Sequence, residues 1–345
     1  MMDKELTTAL EQIFEATHIL STSAFRFADG PIHTSAEMPM VGAMPGAPTP
    51  SQPLISVMAG VLYTTCYAHR FPGAPAQSPF GLDPSLPMKM DQANTSQETW
   101  DYGWHVYAVG ADGTVSLQKG EVQMAARPGE YLSTNNRHAM PVVGEQVNVF
   151  MPRGSHTTQP GFYYMFGETP IDIWSDHALF RFYFKTTPTG VGALISWVMT
   201  TLNGFQVPFR MKSLVEAAHY SRSDTTVLYV SRAYASIVAR LLQDPSFPLK
   251  EAELADPVPL FTLPLAQGIG IADDPGSHES FGMHRCRLIC EAMMDEFAQG
   301  RTSAEYRMLA TSTRFARQGM DLERPWLGAN RSDIFAQLCR LERVE

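Results

Sequence analysis

The sequence predicts an α+β fold, in which a region of mainly antiparallel sheet is followed by mixed strands and helices. From about residue 100 to 185, apolar residues recur with a period of two, which is typical of strands with one buried face. After Pro188 the apolar spacing becomes helical, and strand-like segments recur between the helices. Strands that come first, with helices mixed in later, indicate the α+β class.

The first 95 residues are predicted to form a helical and proline-rich region ahead of a main domain at 96–345. Residues 3–20 and 54–67 have the apolar spacing of helices. A proline-dense loop follows each of them, the first over 31–53 and the second through Pro87. The sequence contains no internal repeat.

The predicted sheet region begins with a hairpin. Trp104, Val106 and Ala108 alternate with polar and aromatic neighbours, and Asp112-Gly113 has the composition of a hairpin turn. The further predicted strands cover 146–152, 161–166, 179–184, 205–212 and the β-prone run 225–230. The predicted helices of this domain cover about 190–203, 231–243, 280–299 and 303–319.

Composition excludes several classes of protein. The formal net charge is -9 and the pI is near 5.6, which disfavours a nucleic-acid partner because such proteins are normally basic. Four cysteines are too few for a disulfide framework in 345 residues. The acidic N-terminus lacks the basic start of a signal peptide, and the chain has no run of eighteen apolar residues. We therefore expect a cytoplasmic protein without a membrane partner.

Common catalytic and metal-binding motifs do not occur. The histidines form no HxH or HExxH motif and the cysteines no CxxC motif, so no metal site is predicted. Gly268-Ile269-Gly270 begins like a dinucleotide-binding fingerprint, but Asp273 stands where the third glycine belongs. Ser280 has the surroundings of a nucleophile elbow without its first glycine, which gives a serine hydrolase little support.

The strongest chemical signal lies at Lys212. In a strand over 205–212, Phe209 and Met211 share an apolar face, while Arg210 and Lys212 share the opposite face. Two adjacent cations repel each other unless an anion lies between them. Repulsion and burial also lower a lysine pKa, which is how a lysine becomes a general base. The alternative interpretation is a half-exposed strand with a solvated basic face.

Two further segments present cations in the same alternating pattern, one within a predicted strand and one just before another. A small anionic substrate between such segments would explain a locally basic region in an acidic protein. Arg285 adds a fourth position, near a predicted helix start where free N–H groups favour anions, although it is equally typical of a surface arginine. The two alternating segments are Arg181-Tyr183-Lys185 and Tyr220-Arg222-Asp224.

Several blocks that carry these residues occur in a recognisable order along the chain. The blocks are Gly161-Phe162-Tyr163, Phe166-Gly167-Glu168, Arg181-Phe182-Tyr183, Phe205-Gln206-Val207-Pro208-Phe209-Arg210-Met211-Lys212, Tyr220-Ser221-Arg222-Ser223-Asp224, Val227-Leu228-Tyr229-Val230 and Glu279-Ser280-Phe281-Gly282-Met283-His284-Arg285. Together they resemble the HopA-type effector family, whose bacterial members include the stand-alone lyases of class V lanthipeptide and thioamitide biosynthesis. The resemblance covers roughly residues 100–330.

This resemblance implies a phosphoserine/phosphothreonine lyase. In the family, a separate Ser/Thr kinase phosphorylates a ribosomally made precursor peptide that carries a leader. The lyase then eliminates phosphate to give dehydroalanine or dehydrobutyrine, and no cofactor is implied. The chain is more distantly similar to the phosphothreonine lyases of the OspF/SpvC type and to the lyase domains of class III lanthipeptide synthetases.

The resemblance also implies residue roles. Lys212 matches the base, and Arg181 and Arg222 match the residues that hold phosphate. Tyr183 stands where those lyases have a general-acid histidine, and His284 is the other candidate for the acid, so the sequence leaves this choice open. The remaining predicted phosphate ligands are Arg210, Arg285 and Tyr220.

A function from another class fits the same residues. The cationic site could belong to a non-catalytic, effector-like module that binds a phosphorylated or phosphopantetheine-bearing partner. Such a module would bind a phosphopeptide without forming a new alkene, so the mass of the peptide after incubation separates the two hypotheses.

Overall fold

The computed structural model describes residues 4–37, 53–72, 79–120, 122–135, 140–170, 178–250, 253–276 and 279–339. Within these ranges the chain forms three antiparallel sheets with helices packed against them, so the predicted α+β class is confirmed. Most of the first proline-dense loop and part of the second lie outside the described residues. The division at residue 95 stays a prediction.

The N-terminal part contains more strand than the sequence predicted. Helix α1 (Lys4–Ala16) ends where the Thr17 hydroxyl donates to the carbonyl of Ile13 at 2.7 Å, and the chain continues as a strand. The predicted helix over 3–20 is therefore too long, and Leu20 is 48% exposed on that strand. The small sheet consists of β1 (Thr17–Ser21), β2 (Ala24–Phe27) and β3 (Ile32–Thr34).

The second predicted helix is confirmed and has an unusual end. Helix α2 (Pro53–Leu62) continues directly into a π-helical turn, Tyr63–Tyr67. Such turns are rare and are frequent at functional sites. A further helix, α3 (Leu86–Ala93), begins beside Pro87, where the sequence predicted only a loop.

A five-stranded sheet follows, in the order β6-β5-β4-β8-β7. Its apolar side chains, among them Trp104, Leu117 and Val147, form a small core of their own. The Asp112-Gly113 hairpin is confirmed, with the Asp112 carboxylate accepting a bond of 3.0 Å from Thr114 N. The strands are β4 (Thr99–Val109), β5 (Val115–Lys119), β6 (Val122–Ala126), β7 (Tyr131–Ser133) and β8 (Gln146–Met151).

The central element is a seven-stranded sheet in the order β14-β15-β11-β13-β12-β10-β9. Its strands are β9 (Gly154–Ser155), β10 (Phe162–Phe166), β11 (Leu179–Phe184), β12 (Phe209–Leu214), β13 (Thr226–Ser231), β14 (Leu263–Ala266) and β15 (Ile269–Asp273). The accompanying helices are α4 (Val191–Gly204), α5 (Ala235–Leu242), α6 (Phe281–Ala298), α7 (Ala304–Arg317) and α8 (Phe335–Cys339).

Alternation along the strands gives the central sheet two different faces. One face, with Phe182, Met211 and Leu228, packs on α4 and α5 in a large apolar core. Part of the other face packs against α2, the π turn and α6, where Tyr183 and Phe281 belong to a second core. This second face carries the polar residues of the candidate site.

Two segments differ from the sequence-based expectation. The strand predicted over 205–212 begins only at Phe209, because Phe205 ends α4 and Gln206 has a φ of 54°. The predicted alternation of Arg210 and Lys212 with buried apolar residues is nevertheless confirmed. The Gly268-Ile269-Gly270 segment, which the sequence left without a structure, forms part of the β14–β15 hairpin.

Candidate active site

Strand register brings the predicted base and one candidate acid into a single row across the central sheet. Lys212 on β12 lies opposite Val227 on β13, and Val227 lies opposite Tyr183 on β11. Because neighbouring strands are about 4.8 Å apart, Lys212 and Tyr183 stand roughly 10 Å apart at the backbone. The adjacent row on the same face consists of Arg210, Tyr229 and Arg181.

Lys212 is half-buried, and its nearest contacts are with neutral groups. Its Nζ donates to Gln159 Oε1 at 3.0 Å and lies 4.6 Å from the ring centroid of Phe162 and 5.7 Å from that of Tyr164. Among the residues that the structure describes, no carboxylate lies within ion-pair distance of this nitrogen. Burial penalises the ammonium form, and the pKa of Lys212 is lowered from its usual value. That is the direction that a general base requires.

Arg181 is buried and its guanidinium is held on three sides. Nε donates to Asp274 Oδ2 at 2.7 Å, and Nη2 also contacts this carboxylate. Nη1 lies 3.5 Å from the Tyr183 hydroxyl, and the guanidinium carbon lies 5.1 Å from the ring centroid of Tyr229. The arginine is therefore fixed in place beside the row that contains Lys212.

Arg222 forms a second charged group with Asp224 and Tyr63. Two nitrogens of Arg222 donate to the two oxygens of Asp224, each at 2.8 Å. Nη2 also donates to the Tyr63 hydroxyl at 3.0 Å, and that hydroxyl donates to Asp224 Oδ2 at 3.0 Å. Burial opposes ionisation of Asp224, but Arg222, Tyr63 and the charge of Lys212 outweigh it, so the pKa of Asp224 is lowered. We call Arg181, Arg210, Lys212 and Arg222, with Asp224 and Asp274, the cationic cluster.

The π turn covers one side of the cationic cluster with aromatic rings. Tyr63 and Tyr67 stack with centroids 5.2 Å apart, and Tyr67 meets Tyr183 edge-on at 6.5 Å. Gly282 on α6 lies against both rings, since a Cβ there would come within 2.6 Å of a Tyr67 ring carbon. Helix α6 and the π turn are therefore packed so closely that only glycine fits at position 282.

Tyr183, the first candidate acid, is buried under this aromatic cover. Burial raises the pKa of Tyr183 to about 12, although the nearby Arg181 opposes the shift. The phenol is accordingly protonated at neutral pH and has a proton to donate.

His284, the second candidate acid, is buried beside the guanidinium of Arg285. Burial, together with the charge of Arg285, lowers the pKa of His284 to about 3. Its Nδ1 lies 2.8 Å from Arg285 Nη1, which fits an unprotonated nitrogen accepting a bond from the guanidinium. A low pKa counts against His284 as the general acid, and the choice between His284 and Tyr183 stays a prediction.

Arg285 is fully buried and makes internal contacts. Nε donates to the carbonyl of Pro325 and Nη2 to that of Leu327, both at 2.8 Å. The guanidinium also lies 4.8 Å from the ring centroid of Phe281. These bonds explain Arg285 as the residue that fastens the segment around Pro325 to α6. These contacts support a structural role for Arg285, and its expected role as a phosphate ligand stays a prediction.

Tyr220 also lies away from the cationic cluster. It belongs to the large core on the opposite face of the central sheet, and its hydroxyl donates to the carbonyl of Leu214 at 2.8 Å. The hydroxyl is 3.2 Å from that of Ser213. Tyr220 is thus better explained as a buried tyrosine that closes the turn after β12 than as a phosphate ligand.

Sequence reasoning missed several residues that shape the site. Asp274 follows the unpredicted strand β15, Tyr229 was read only as part of a β-prone run, and Tyr63 belongs to a helix far upstream. The i, i+4 spacing of tyrosines in the Tyr63–Tyr67 segment was the available signal, but it is equally common in ordinary amphipathic helices.

Two classes of site receive no support within the described ranges. No group of three or more His, Cys, Asp or Glu side chains there is arranged to hold a metal ion. No helix among the described residues has the length and apolar character needed to cross a membrane.

The fold and site define an α+β protein that collects a lysine and several arginines on one face of an antiparallel sheet. Residues 154–327 match the HopA1 effector protein family, and the chain belongs to that family. The matched segment contains the central sheet from β9 to β15 and the whole cationic cluster. The tyrosines of the π turn lie outside it.

Comparison with solved structures adds two effectors. The effector protein from Pseudomonas syringae pv. tomato strain DC3000 is 13% identical, with a TM-score of 0.45 over 93% of this chain and 98% of that chain. The effector protein from Pseudomonas syringae pv. syringae strain 61 is 18% identical, with a TM-score of 0.37 over 48% of this chain and 62% of that chain. A comparison with curated proteins gave no match.

Proposed function

We propose that this protein is a phosphoserine/phosphothreonine lyase. Its substrate would be a ribosomally made precursor peptide that carries a leader and has been phosphorylated by a separate Ser/Thr kinase. The observation that carries the proposal is the half-buried Lys212, whose pKa is lowered by burial and which shares a sheet row with Tyr183 beside Arg181.

The reaction is a β-elimination. Lys212 Nζ takes the proton from the α-carbon of the phosphorylated residue, and the electron pair of that C–H bond forms the double bond to the β-carbon. The bond between the β-carbon and the phosphate oxygen breaks, and phosphate leaves with the electron pair of this C–O bond. Phosphoserine gives dehydroalanine, phosphothreonine gives dehydrobutyrine, and Lys212 returns its proton to solvent. The step balances without a redox partner or a cofactor.

The arginines supply the charge that stabilises the leaving phosphate. A phosphate monoester carries about −1.5 to −2 charges at neutral pH and has three acceptor oxygens. Nη1 of Arg222 takes no part in the contacts with Asp224 and Tyr63, and the Arg222 side chain is 22% exposed. Arg181 contributes a fixed positive charge beside the base. Charge-assisted bonds of this kind act most strongly where the negative charge develops.

Tyr183 is the proposed proton donor to the leaving group, and it regains its proton from solvent after phosphate has left. Its pKa of about 12 makes it a weak acid, but phosphate is a good leaving group and needs little protonation. The contact of the Tyr183 hydroxyl with Arg181 Nη1 supports this role, because Arg181 is a proposed phosphate ligand.

The test uses a synthetic phosphothreonine peptide and mass spectrometry. The proposal predicts loss of one phosphoric acid from the peptide and an alkene that a thiol can trap. Lys212→Ala and Lys212→Arg should both fold and both lose this activity, because arginine keeps the charge but cannot act as a base. The matched control is Lys185→Ala, since Lys185 is also half-buried, directly follows β11 and donates to the carbonyl of Asp256. Wild-type turnover by Lys212→Arg would refute the assignment of the base.

The alternative function is a non-catalytic module that binds a phosphorylated or phosphopantetheine-bearing partner. It is favoured by the two arginine–carboxylate pairs, because preformed pairs hold the guanidinium groups ready for a ligand even without chemistry. In the same experiment this module would bind the phosphopeptide and leave its mass unchanged.

A further inference from the structure

A cavity of about 230 Å³ lies beside the cationic cluster. It lies between the five-stranded sheet and the end of the β10–β12 pair in the central sheet. Trp104, Met151 and Phe166 contribute apolar walls, and Arg210 lines the cavity on the side of the cluster. Arg210 is also the cross-strand neighbour of Tyr229, so the cavity and the cationic cluster share this residue.

Asp101 and Lys119, two of the charged residues that line the cavity, already have partners. Asp101 accepts bonds from Lys119 Nζ at 2.5 Å and from Trp104 Nε1 at 2.9 Å. The ammonium group of Lys119 lies 5.9 Å from the centroid of the Trp104 ring. An apolar occupant would therefore leave neither charge of this pair without a partner. The chemistry of the wall fits an apolar side chain better than a charged one.

The size of the cavity suits one large side chain. An engineered cavity of about 150 Å³ is enough to hold a benzene molecule, so 230 Å³ accommodates a leucine or a phenylalanine side chain. Two methionines, Met124 and Met151, line the wall, and their unbranched side chains adapt to occupants of different shapes.

Strand geometry sets the distance between this cavity and the proposed base. Arg210 and Lys212 lie two residues apart on the same face of β12, which corresponds to about 7 Å. In an extended peptide, side chains on the same side also recur every two residues at about 7 Å. An extended peptide that runs along β12 with its phosphorylated residue at Lys212 would therefore bring the side chain two positions away to the cavity.

We propose that this cavity binds an apolar side chain, Leu or Phe, two residues from the phosphorylated Ser or Thr of the substrate peptide. The inference rests on the proposed function for the identity of the substrate. It assigns the five-stranded sheet a role in substrate selection.

The experiment measures the affinity of fluorescein-labelled phosphothreonine peptides. Leu, Phe, Gly or Asp is placed either two residues before or two residues after the phosphothreonine. One of these positions should show Kd values for Leu and Phe that are on the order of 10-fold to 100-fold below that for Asp. Val122→Trp, which fills the cavity, should remove this preference. Val109→Trp is the matched control, because Val109 lies on the same sheet, does not line the cavity and is 39% exposed.

The outcomes separate this inference from the lyase activity. Affinity is read from anisotropy and elimination from peptide mass, so an apolar preference without loss of phosphate supports the cavity and refutes the lyase. Equal Kd values for Leu and Asp at both positions, a preference that survives in a folded Val122→Trp variant, or no binding by any of the peptides would overturn the cavity proposal. If Val122→Trp does not fold, Met124→Ala enlarges the cavity instead, and it should shift the preference from Leu towards Phe.

Discussion

Removing the hydroxyl of Tyr63 tests whether the π turn secures the cationic cluster. Tyr63→Phe keeps the ring that stacks on Tyr67 and deletes only the oxygen between Arg222 and Asp224. Two hydrogen bonds to charged groups are lost, while the direct pair between Arg222 and Asp224 remains. The effect therefore isolates the contribution of the bridge.

The size of the effect follows from these contacts. A hydrogen bond to a charged group contributes about 1.5–3 kcal/mol, so two such bonds set an upper limit of roughly 6 kcal/mol. Arg222 retains Asp224, and its side chain is 22% exposed, so water replaces part of the loss. We expect Tyr63→Phe to lower the free energy of unfolding by about 2 kcal/mol. With an unfolding entropy of about 2 cal/mol/K per residue, this corresponds to roughly 3 °C in Tm.

The assay is a double-mutant cycle in urea. Tyr63→Phe, Asp224→Asn and the double variant are unfolded, and the coupling energy between the two sites should be about 1–2 kcal/mol. Tyr102→Phe is the control, because Tyr102 is 62% exposed and its hydroxyl should contribute little. A coupling energy near zero, or a Tyr63→Phe variant as stable as the wild type, would show that the bridge does not hold the cluster together.

Three further predictions concern titration and burial. The kcat/KM for a phosphopeptide should rise with pH as Lys212 loses its proton, and it should level off below the usual lysine pKa of about 10.4; a pH-independent rate would contradict a lysine base. The pKa of His284 in the folded state is about 3, so only the unfolded chain protonates this ring between about pH 6.5 and 3. The free energy of unfolding should therefore fall as the pH is lowered through that window, by at most about 1.4 kcal/mol per pH unit. Urea denaturation at several pH values measures this dependence, and His284→Gln should reduce it. Arg285→Met should lower the free energy of unfolding by about 2–4 kcal/mol in the same assay, because two buried carbonyls lose their donor. Phosphopeptide affinity should stay within about twofold. A loss of affinity without a loss of stability would instead support Arg285 as a phosphate ligand.

Local patterns in the sequence predicted the features that depend on neighbouring residues. Alternation placed Arg210 and Lys212 on one face and their apolar neighbours on the other, because side-chain direction in a strand follows directly from position. The same reasoning put Arg181 and Tyr183 on one face of β11. Which strands lie side by side depends on long-range pairing, so the row through Val227 that joins Tyr183 to Lys212 required the structure.

Three of the predicted site residues have surroundings that come from distant segments, which the sequence did not reveal. Arg285 is buried because carbonyls of Pro325 and Leu327 reach it, and the low pKa of His284 follows from that same burial. Tyr220 lies in the core on the other face of the sheet because a 3-10 turn after β12 redirects the chain. No spacing rule within the sequence reports contacts of this kind.

The π turn also matters for anyone who prepares shorter fragments of this protein. A fragment that starts at residue 96, or that is restricted to 154–327, retains Lys212 but loses the two stacked tyrosines. Tyr183 and Gly282 would then face water instead of aromatic rings, and Asp224 would lose a hydrogen-bond donor. An inactive fragment with those boundaries would therefore reveal nothing about Lys212, and informative truncations must begin ahead of Pro53.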